Sequence, residues 1–341
     1  MCKREVKRLR KLVYEVCIYL RKAKVTNLRE ILFLKPVFKQ MIWGGNRMAS
    51  EYGYDIPGEN TGECWAISAH ANGDGTISGG TYDGVTLSTL YKEHRELFGN
   101  SKEEVFPLLI KIIDAKADLS IQVHPDDAYA GANENGSLGK TECWYILDCD
   151  EDATIVIGHN AKDKQELRRM IEENRWDELI SVRPIKKGDF FQIEPGTVHA
   201  IKAGTLILET QQSSDITYRL YDYGRLQNGK PRELHIEKSI DVIECPHQDR
   251  MAGSEYVQVQ DAQIQTMVAC PFYTVKKICL KGEAELAMDG SYQLFSVIEG
   301  AGEVDGTPVK KGDHFILPTG YGAYKLSGEM ELMTSYAKEA E

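Results

Sequence analysis

Two side chains that could bind a metal ion lie on one predicted strand. Residues 119–124 alternate strictly between apolar and polar side chains, which is typical of a strand with one buried face. Gln122 and His124 fall on the polar face, and Pro125 then removes a backbone donor and ends the pairing. An amide oxygen and an imidazole are therefore predicted to point the same way.

Further candidate ligands come from two other segments. The next predicted strand begins at Lys140-Thr141-Glu142, which places Lys140 and Glu142 on one face. His199 follows a corner at Pro195-Gly196. Two imidazoles, a carboxylate and an amide oxygen suit Zn²⁺ with one position left for water or substrate. The predicted metal ligands are Gln122, His124, Glu142 and His199.

The segment that carries His199 is repeated once along the chain. Lys186-Lys187-Gly188-Asp189 recurs at 310–313, which is 124 residues later, and the ten positions that follow stay in register. His199 then falls opposite Ala323. A repeat of this size is typical of two small antiparallel barrels, and here only one of them has a histidine at the corner.

A cationic side chain lies on a later predicted strand. Residues 214–222 are rich in aromatic and β-branched side chains, which indicates a strand after the one that begins at His199. Arg219 would suit an anionic substrate, because its guanidinium is always charged and matches a phosphate or an enolate oxygen. The alternative role for Arg219 is an ion pair at the barrel rim with Asp215 or Asp222.

The rest of the sequence predicts a mainly β protein with a few short peripheral helices. After residue 30, short apolar stretches alternate with turn pairs such as Asn72-Gly73 and Asn228-Gly229. Apolar side chains at helical spacing predict helices within 86–98 and 162–180, and a third, shorter helix is expected over 232–243.

Composition argues against several classes of function. A chain of 341 residues fits two domains with sizeable cores. The net charge of -11 disfavours a nucleic-acid-binding surface, and no apolar run approaches the ~20 residues that span a bilayer. The eight cysteines are scattered without a C-x-x-C pair, which indicates reduced thiols and a cytoplasmic protein.

Residues 1–27 differ in charge from the rest of the chain. They hold nine Lys and Arg against two Asp and Glu within an acidic protein. We interpret them as a dispensable extension, with the working chain beginning near Leu28. The alternative is a basic helix that lies on a membrane surface.

Seven segments carry a resemblance to a known family: residues 36–39, 43–45, 61–68, 122–126, 139–142, 195–200 and 214–219. In this order they resemble the small bacterial form of type I mannose-6-phosphate isomerase, and the similarity runs from about residue 29 to the C terminus. The family implies two cupin (jelly-roll) β-barrels, one Zn²⁺ per chain and reversible isomerisation of mannose 6-phosphate to fructose 6-phosphate. The expected domains are the extension 1–27, a catalytic metal-binding cupin domain at 28–245 and a C-terminal cupin-like barrel without a metal site at 246–341.

The resemblance also implies roles for individual residues. The four candidate metal ligands keep that role, and Arg219 and Lys140 match the family's active-site arginine and lysine. Asp215 and Ser137 are expected to bind substrate, the latter in a polar loop at 133–140 that would meet the phosphate. Isomerisation through a cis-enediol needs a base near C1 and C2 and positive charge beside the enediolate oxygen. A divalent cation beside Lys140 would favour its neutral form and base chemistry.

Two other functions stay open. His124, Asp126 and His199 also form the His-x-Asp…His pattern of non-haem Fe(II) cupin oxygenases, although that assignment leaves Glu142 and Arg219 without a role. A non-enzymatic sugar-binding cupin is the second alternative. The expected partner is a phosphosugar, with no nucleic acid and no membrane, and the expected state is a monomer or small homo-oligomer.

Overall fold

The computed structural model describes residues 29–249 and 255–338. Within those residues the chain is mainly β, with 24 strands and six short α-helices, which confirms the predicted fold class. No helix in the described part is long and apolar enough to cross a membrane. The basic extension predicted at 1–27 lies outside the described residues.

The strands form three large antiparallel sheets and two small hairpins. In chain order they are β1 (Leu32–Lys35), β2 (Val37–Gly45), β3 (Thr61–Ile67), β4 (Ala69–His70), β5 (Gly73–Asp74), β6 (Thr76–Ser78), β7 (Leu108–Ala115), β8 (Ile121–Val123), β9 (Glu142–Cys149), β10 (Thr154–His159), β11 (Ile180–Pro184), β12 (Phe190–Ile193), β13 (His199–Ile201), β14 (Thr205–Gln212), β15 (Tyr218–Tyr221), β16 (Leu226–Gln227), β17 (Lys230–Pro231), β18 (Glu255–Val259), β19 (Ala262–Ala269), β20 (Tyr273–Leu286), β21 (Gln293–Val304), β22 (Thr307–Lys310), β23 (His314–Leu317) and β24 (Tyr324–Ala337). One sheet has the order β12-β9-β14-β7-β2-β3, a second β11-β10-β13-β8-β15, and a third β18-β19-β20-β24-β21-β23-β1-β6 with β22 beside β21. The hairpins are β4-β5 and β16-β17.

The helices are short and lie between strands. They are α1 (Arg47–Tyr52), α2 (Leu87–Glu93), α3 (Asp127–Asn133), α4 (Lys164–Glu172), α5 (Trp176–Leu179) and α6 (Ile236–Val242), with 3₁₀ turns at Gly80–Tyr82 and Arg95–Phe98. The three predicted helical regions are confirmed, although each is shorter than its apolar stripe, and two of them are split. Thr86 and Asp163 cap α2 and α4 through side-chain oxygens, which fixes where these helices begin.

The six-stranded and five-stranded sheets pack around one apolar core. Trp43, Ile113 and Trp144 come from the first sheet, and Ile155 and Ile201 come from the second. Because side chains alternate along a strand, the opposite face of each sheet packs elsewhere. The space between these two sheets is where the candidate site lies.

Helices cover the outer face of the five-stranded sheet. Leu167 of α4 and Ile240 of α6 pack against Ile121 and Val123 of β8 in one buried cluster. With its apolar side chains under the helices, β8 turns Gln122 toward the inner face. The strand is shorter than predicted and spans only Ile121–Val123.

The third sheet combines the C-terminal strands β18 to β24 with two strands from the start of the chain. Strand β1 pairs with β23, so that Phe33 lies opposite Phe315, and β6 pairs with β1. Phe295, Phe315 and Val297 form the centre of its core. The domain limits at 28–245 and 246–341 stay a prediction.

The internal repeat is also a repeat of backbone geometry. Gly188 and Gly312 have φ angles of 91° and 92°, values that favour glycine. In each copy the aspartate that follows accepts a hydrogen bond from a lysine amide, at 2.9 Å for Asp189 and 2.8 Å for Asp313. The two segments therefore form the same turn.

Candidate metal centre

Two histidines and a glutamate from three strands meet between the two packed sheets. His124 directly follows β8, and His199 begins the neighbouring β13, where it lies opposite Gln122. Glu142 begins β9 in the facing sheet. Ligand atoms of His124, Glu142 and His199 lie within 4.8 Å of one another, and all three side chains are buried.

Backbone carbonyls orient both imidazoles. Nδ1 of His124 lies 2.8 Å from the carbonyl oxygen of Ile216, and Nδ1 of His199 lies 2.8 Å from that of Thr197. We therefore assign the hydrogen to Nδ1 in both rings, which leaves a lone pair on each Nε2. The two Nε2 atoms are 3.1 Å apart, and each lies 3.5 Å from a carboxylate oxygen of Glu142.

The electrostatics of this cluster suit a cation. Burial lowers the pKa of His199 to about 4, and burial together with the Lys140 charge holds the pKa of His124 well below its ordinary value. Both imidazoles are therefore neutral, as metal ligands must be. Burial, reinforced by Glu209, raises the pKa of Glu142 to about 7, and its Oε1 accepts no hydrogen bond from the described residues. Two neutral imidazoles whose lone pairs converge on a buried carboxylate fit a bound metal ion.

Gln122 lies at the edge of the cluster. Its Nε2 is 3.3 Å from Nε2 of His199, and its Oε1 is 3.4 Å from the Ser120 hydroxyl. Exchange of the amide oxygen and nitrogen would turn the oxygen toward the histidines. The role of Gln122 as a fourth ligand stays a prediction.

Lys140 contacts the same cluster. Its Nζ lies 2.7 Å from Oε2 of Glu142 and 3.2 Å from Nε2 of His124, so the two residues share a face as predicted. Burial alone would lower the pKa of Lys140, but the carboxylates of Glu142 and Glu209 outweigh it and raise that pKa. When only the protein's own charges act on it, the Lys140 side chain is therefore a protonated ammonium. The expected shift toward the neutral form concerns the cation-bound state and stays a prediction.

A cavity of about 290 Å³ adjoins the cluster. Gln122, Lys140, Asp215 and Arg219 line it, so four of the predicted site residues share one space. The other charged lining residues are Lys39, Glu63, Lys111, Glu209 and Arg232. The cavity is large enough for a small polar ligand, and its wall carries more cations than carboxylates.

Arg219 takes part in no ion pair among the described residues. Asp222 instead binds Arg225 and Arg232, and Asp215 accepts a hydrogen bond from Asn72 at 2.6 Å. The rim ion pair considered from the sequence is therefore absent from the described structure. Nε of Arg219 is buried without a hydrogen-bond partner, which leaves the guanidinium available to an anion. Its strand, β15, is the second one after β13 rather than the next.

The structure separates the two residues predicted to bind substrate. Asp215 lines the cavity and lies 3.7 Å from His70. Ser137 does not line it, because its hydroxyl donates to the carbonyl oxygen of Glu134 at 2.7 Å within the loop after α3.

Sequence reasoning missed a buried ion pair that lines the cavity. Nζ of Lys111 lies 3.2 Å from Oε2 of Glu209, and Trp144 donates to Oε1 at 3.2 Å. Although burial opposes it, the charges of Lys140 and Lys111 lower the pKa of Glu209 to about 2. The available signal was a charged residue at the centre of an apolar strand, in β7 and again in β14.

Asp126 does not join the metal cluster. Its side chain is exposed and caps α3 by accepting a hydrogen bond from the Tyr129 amide at 2.8 Å. Glu142 occupies the carboxylate position beside both histidines. The geometry thus gives no support to the Fe(II) oxygenase arrangement.

The fold and this cluster together define a metal-binding protein of the cupin type. The family profile described as the catalytic domain of type I phosphomannose isomerase matches residues 31–148, and one described as the cupin domain of mannose-6-phosphate isomerase matches residues 263–337. The chain belongs to the type I mannose-6-phosphate isomerase family, and it is an enzyme of that family.

Individual relatives agree over nearly their whole length. Mannose-6-phosphate isomerase ManA of Bacillus subtilis is 52% identical over 312 residues, which is 90% of this chain and 99% of the relative. Mannose-6-phosphate isomerase of Streptococcus mutans is 49% identical, over 91% of this chain and 99% of the relative. The crystal structure of the mannose 6-phosphate isomerase from Bacillus subtilis superposes with a TM-score of 0.89, 49% identity and coverage of 90% and 99%.

Proposed function

We propose that this enzyme interconverts mannose 6-phosphate and fructose 6-phosphate at a zinc ion held by Gln122, His124, Glu142 and His199. The observation that carries the proposal is the buried His-Glu-His cluster beside a cation-rich cavity, in a chain of this family. A cluster of neutral imidazoles and an uncapped carboxylate oxygen supports a borderline-soft ion such as zinc. When bound, such an ion polarises sugar oxygens as a Lewis acid.

The reaction moves one hydrogen between neighbouring carbons. A base removes the C2 hydrogen of the open-chain aldose as a proton, and the electron pair forms the cis-enediol. A proton then returns at C1, while the hydroxyl proton passes from O2 to O1 in the same direction, so the ketose is an isomer and no redox partner is needed. The protein must therefore supply proton transfer at C1 and C2 and positive charge at the adjacent oxygens.

Lys140 and Arg219 are suited to these two tasks. Lys140 lines the cavity and carries exchangeable protons on Nζ, which lies 2.7 Å from Oε2 of Glu142, so we assign it to proton transfer beside the ligand set. Arg219 lines the same cavity without an ion pair among the described residues, so we assign it to the developing enediolate charge. Asp215 is assigned to a sugar hydroxyl, because its carboxylate faces the same cavity.

We assign catalysis to 28–245, a metal-free second barrel to 246–341, and no catalytic role to 1–27. The six described cysteines are free thiols, which supports a reducing compartment such as the cytoplasm.

A coupled assay tests the function directly. The enzyme is assayed with mannose 6-phosphate before and after chelation, and again after addition of Zn²⁺, Fe²⁺ or Mg²⁺. We expect activity to disappear when the metal is removed and to return best with zinc. We also expect the reaction to consume no oxygen. Sugar-phosphate binding without turnover would support the binding protein instead, and oxygen uptake with iron would support the oxygenase.

A further inference from the structure

A buried carboxylate holds two arginines next to the cavity. Asp222 directly follows β15, the strand that carries Arg219. Its two oxygens accept hydrogen bonds from Arg232, at 2.7 Å from Nε and 2.5 Å from Nη2. Its Oδ1 also accepts from Nη2 of Arg225 at 2.5 Å. Paired donors on both oxygens make this a strong and geometrically specific contact.

These contacts fix both ends of the hairpin β16-β17. Arg225 precedes the hairpin and Arg232 follows it, and the two residues converge on Asp222. The hairpin strands themselves are exposed, so burial contributes little to their placement. Arg225 also donates to the carbonyl oxygen of Asp118, which connects the same end to the loop between β7 and β8. The ion pairs of Asp222 therefore locate the hairpin.

The two arginines differ in what they face. Arg232 lines the cavity and Arg225 does not. The side chain of Arg232 is only 9% exposed, and its charge lies close enough to Arg219 to reinforce the lowering of the Arg219 pKa by burial. Asp222 is a single buried carboxylate against the three guanidiniums of Arg219, Arg225 and Arg232, which leaves a net positive charge at this wall. A dianion would remove the repulsion between them.

The two ends of a hexose phosphate differ in their chemistry. Its C1 and C2 react, and its phosphoryl group lies on C6. Lys140 lies against the metal ligands, whereas Arg232 makes no contact with them among the hydrogen bonds and ion pairs of the described residues. Arg232 is thus a buried cation of the cavity wall that contacts none of the candidate metal ligands in the described structure.

We propose that Asp222 is a positioning residue that holds Arg232 in the cavity wall, where the Arg232 guanidinium binds the phosphoryl group of the substrate. This inference rests on the proposed function and names the groups that recognise its anionic end. A guanidinium fixed in advance loses less side-chain entropy on binding than a free one, so Asp222 raises affinity without contacting the substrate.

A double-mutant cycle tests the inference. We would measure kcat and KM for mannose 6-phosphate, the inhibition constant of inorganic phosphate and the bound metal, for the wild type, Asp222→Asn, Arg232→Ala and the double variant. We expect Asp222→Asn to raise KM and the phosphate inhibition constant about tenfold, with kcat and bound metal little changed. The double variant should be no worse than Arg232→Ala alone, because Asp222 acts through Arg232.

Further variants distinguish the proposed role of Asp222 in phosphate binding from an effect on protein stability. They also distinguish failure of this inference from failure of the proposed function. Glu237→Gln removes an exposed carboxylate that binds Arg168 with two 2.8 Å hydrogen bonds outside the cavity, and we expect unchanged kinetics. Should Asp222→Asn prove insoluble, Arg232→Lys tests the same guanidinium with Asp222 in place, and it should again raise the phosphate inhibition constant. Additive effects in the cycle, or unchanged phosphate inhibition in folded variants, would overturn the inference. Absence of isomerase activity in the wild type would overturn the proposed function instead.

Discussion

The two copies of the internal repeat share a backbone and differ in what they enclose. After the common turn, Gly196 and Gly320 have φ angles of 83° and 82°, so the chain bends alike in both. His199 is then buried in the metal cluster, whereas Ala323 is exposed. The same corner therefore delivers a ligand in the first region and none in the second.

The contrast extends to the strand opposite the corner. Glu142 lies opposite Ile193, and Gln293 lies opposite the equivalent Leu317. The amide of Gln293 donates to the Thr334 hydroxyl at 2.7 Å and accepts from a backbone amide at 3.2 Å. Its polar atoms are satisfied within the protein, while Oε1 of Glu142 accepts no hydrogen bond from the described residues.

Aromatic packing completes the difference. Phe295 and Phe315 stack with ring centroids 5.0 Å apart in the core of the second region. At the position of Phe295 the first region has Trp144, whose indole donates to Glu209 in the cavity wall. At these equivalent positions the second region pairs its buried amide, whereas the first has a buried carboxylate oxygen without a hydrogen bond among the described residues. Such groups are costly to stability, so they identify the region that binds a ligand.

The largest effect we expect comes from removing the histidine that distinguishes the two corners. His199→Ala should lose most of the bound zinc and reduce activity by about three orders of magnitude or more, with a native far-UV circular dichroism spectrum. Elemental analysis, the coupled assay and circular dichroism measure these outcomes. The reciprocal Ala323→His should bind no second ion, because Gln293 already has its partners. Two tightly bound metals per wild-type chain, or a zinc-replete and active His199→Ala, would contradict the comparison.

A smaller loss of activity is expected from Arg219→Lys. This variant tests whether the first region supplies the cation that stabilises the enediolate. Lysine keeps the charge but loses the planar set of donors, so kcat should fall about 10²- to 10³-fold. Bound zinc should be unchanged, because Arg219 is not a candidate ligand. Steady-state kinetics and metal analysis measure both. If KM alone changes, Arg219 contributes uniform binding and the assignment to enediolate charge is wrong.

The sequence predicted the centre of the site better than its walls. Strict alternation in 119–124 and the corner before His199 identified candidate ligands from local pattern, and the strand at 214–222 identified Arg219, which the family resemblance then matched to an active-site arginine. Lys111 and Glu209 were missed because each has only uncharged neighbours next to it in the sequence, and its partner is on another strand. Only the pairing of β7 with β14, which puts Glu209 opposite Lys111, brings them together.

Long-range pairing also explains what the sequence could not give for the fold. Strand β1 joins the sheet of the C-terminal half because Phe33 pairs with Phe315 at the other end of the chain. Nothing in the local pattern of β1 identifies that partner, since an apolar strand fits either barrel. The repeat, in contrast, was visible because turn geometry depends on residues a few positions apart.

A further difference between the copies concerns acid stability. His314 occupies the position of Phe190 in the repeat, and it lies between the Ser296 hydroxyl at 2.8 Å and the Tyr54 hydroxyl at 2.9 Å. Burial lowers the pKa of His314 to about 3. Between that value and about 6.5 the unfolded chain binds the proton and the folded chain does not, so stability falls as the pH falls.

We therefore expect His314 to make the second region sensitive to acid. Below pH ~6.5, the contribution of His314 to the free energy of unfolding should fall by about 1.4 kcal/mol for each unit by which the pH falls. Urea unfolding of the wild type and His314→Gln at several pH values measures this contribution. The histidines of the metal cluster are present in both proteins, so their effect cancels in the difference between the two free energies of unfolding. The free energies of unfolding should approach each other as the pH falls from 6.5 to 4.5. A constant difference across that range would show that His314 does not bind the proton on unfolding.

The smallest effect is expected from removing residues 1–27. The described chain begins beside the second corner, where Nη2 of Arg29 lies 3.2 Å from Asp305 and donates to the carbonyl oxygen of Ala323 at 3.1 Å. A chain that starts at Leu28 keeps these contacts and every candidate site residue. We expect kcat and KM within about twofold of the full chain and a melting temperature within about 2 °C.

Arg29→Ala provides a control for the truncation, since it removes the contact to the second corner itself. The Arg29 side chain is 59% exposed, so its ion pair should contribute no more than about 1 kcal/mol, measured by urea unfolding. Activity should not change, because the contact lies at the corner that has no metal ligand. A truncated chain that is less stable than Arg29→Ala, or that loses activity, would show that the basic segment packs on the barrels. The two corners would then differ in what covers them as well as in what they enclose.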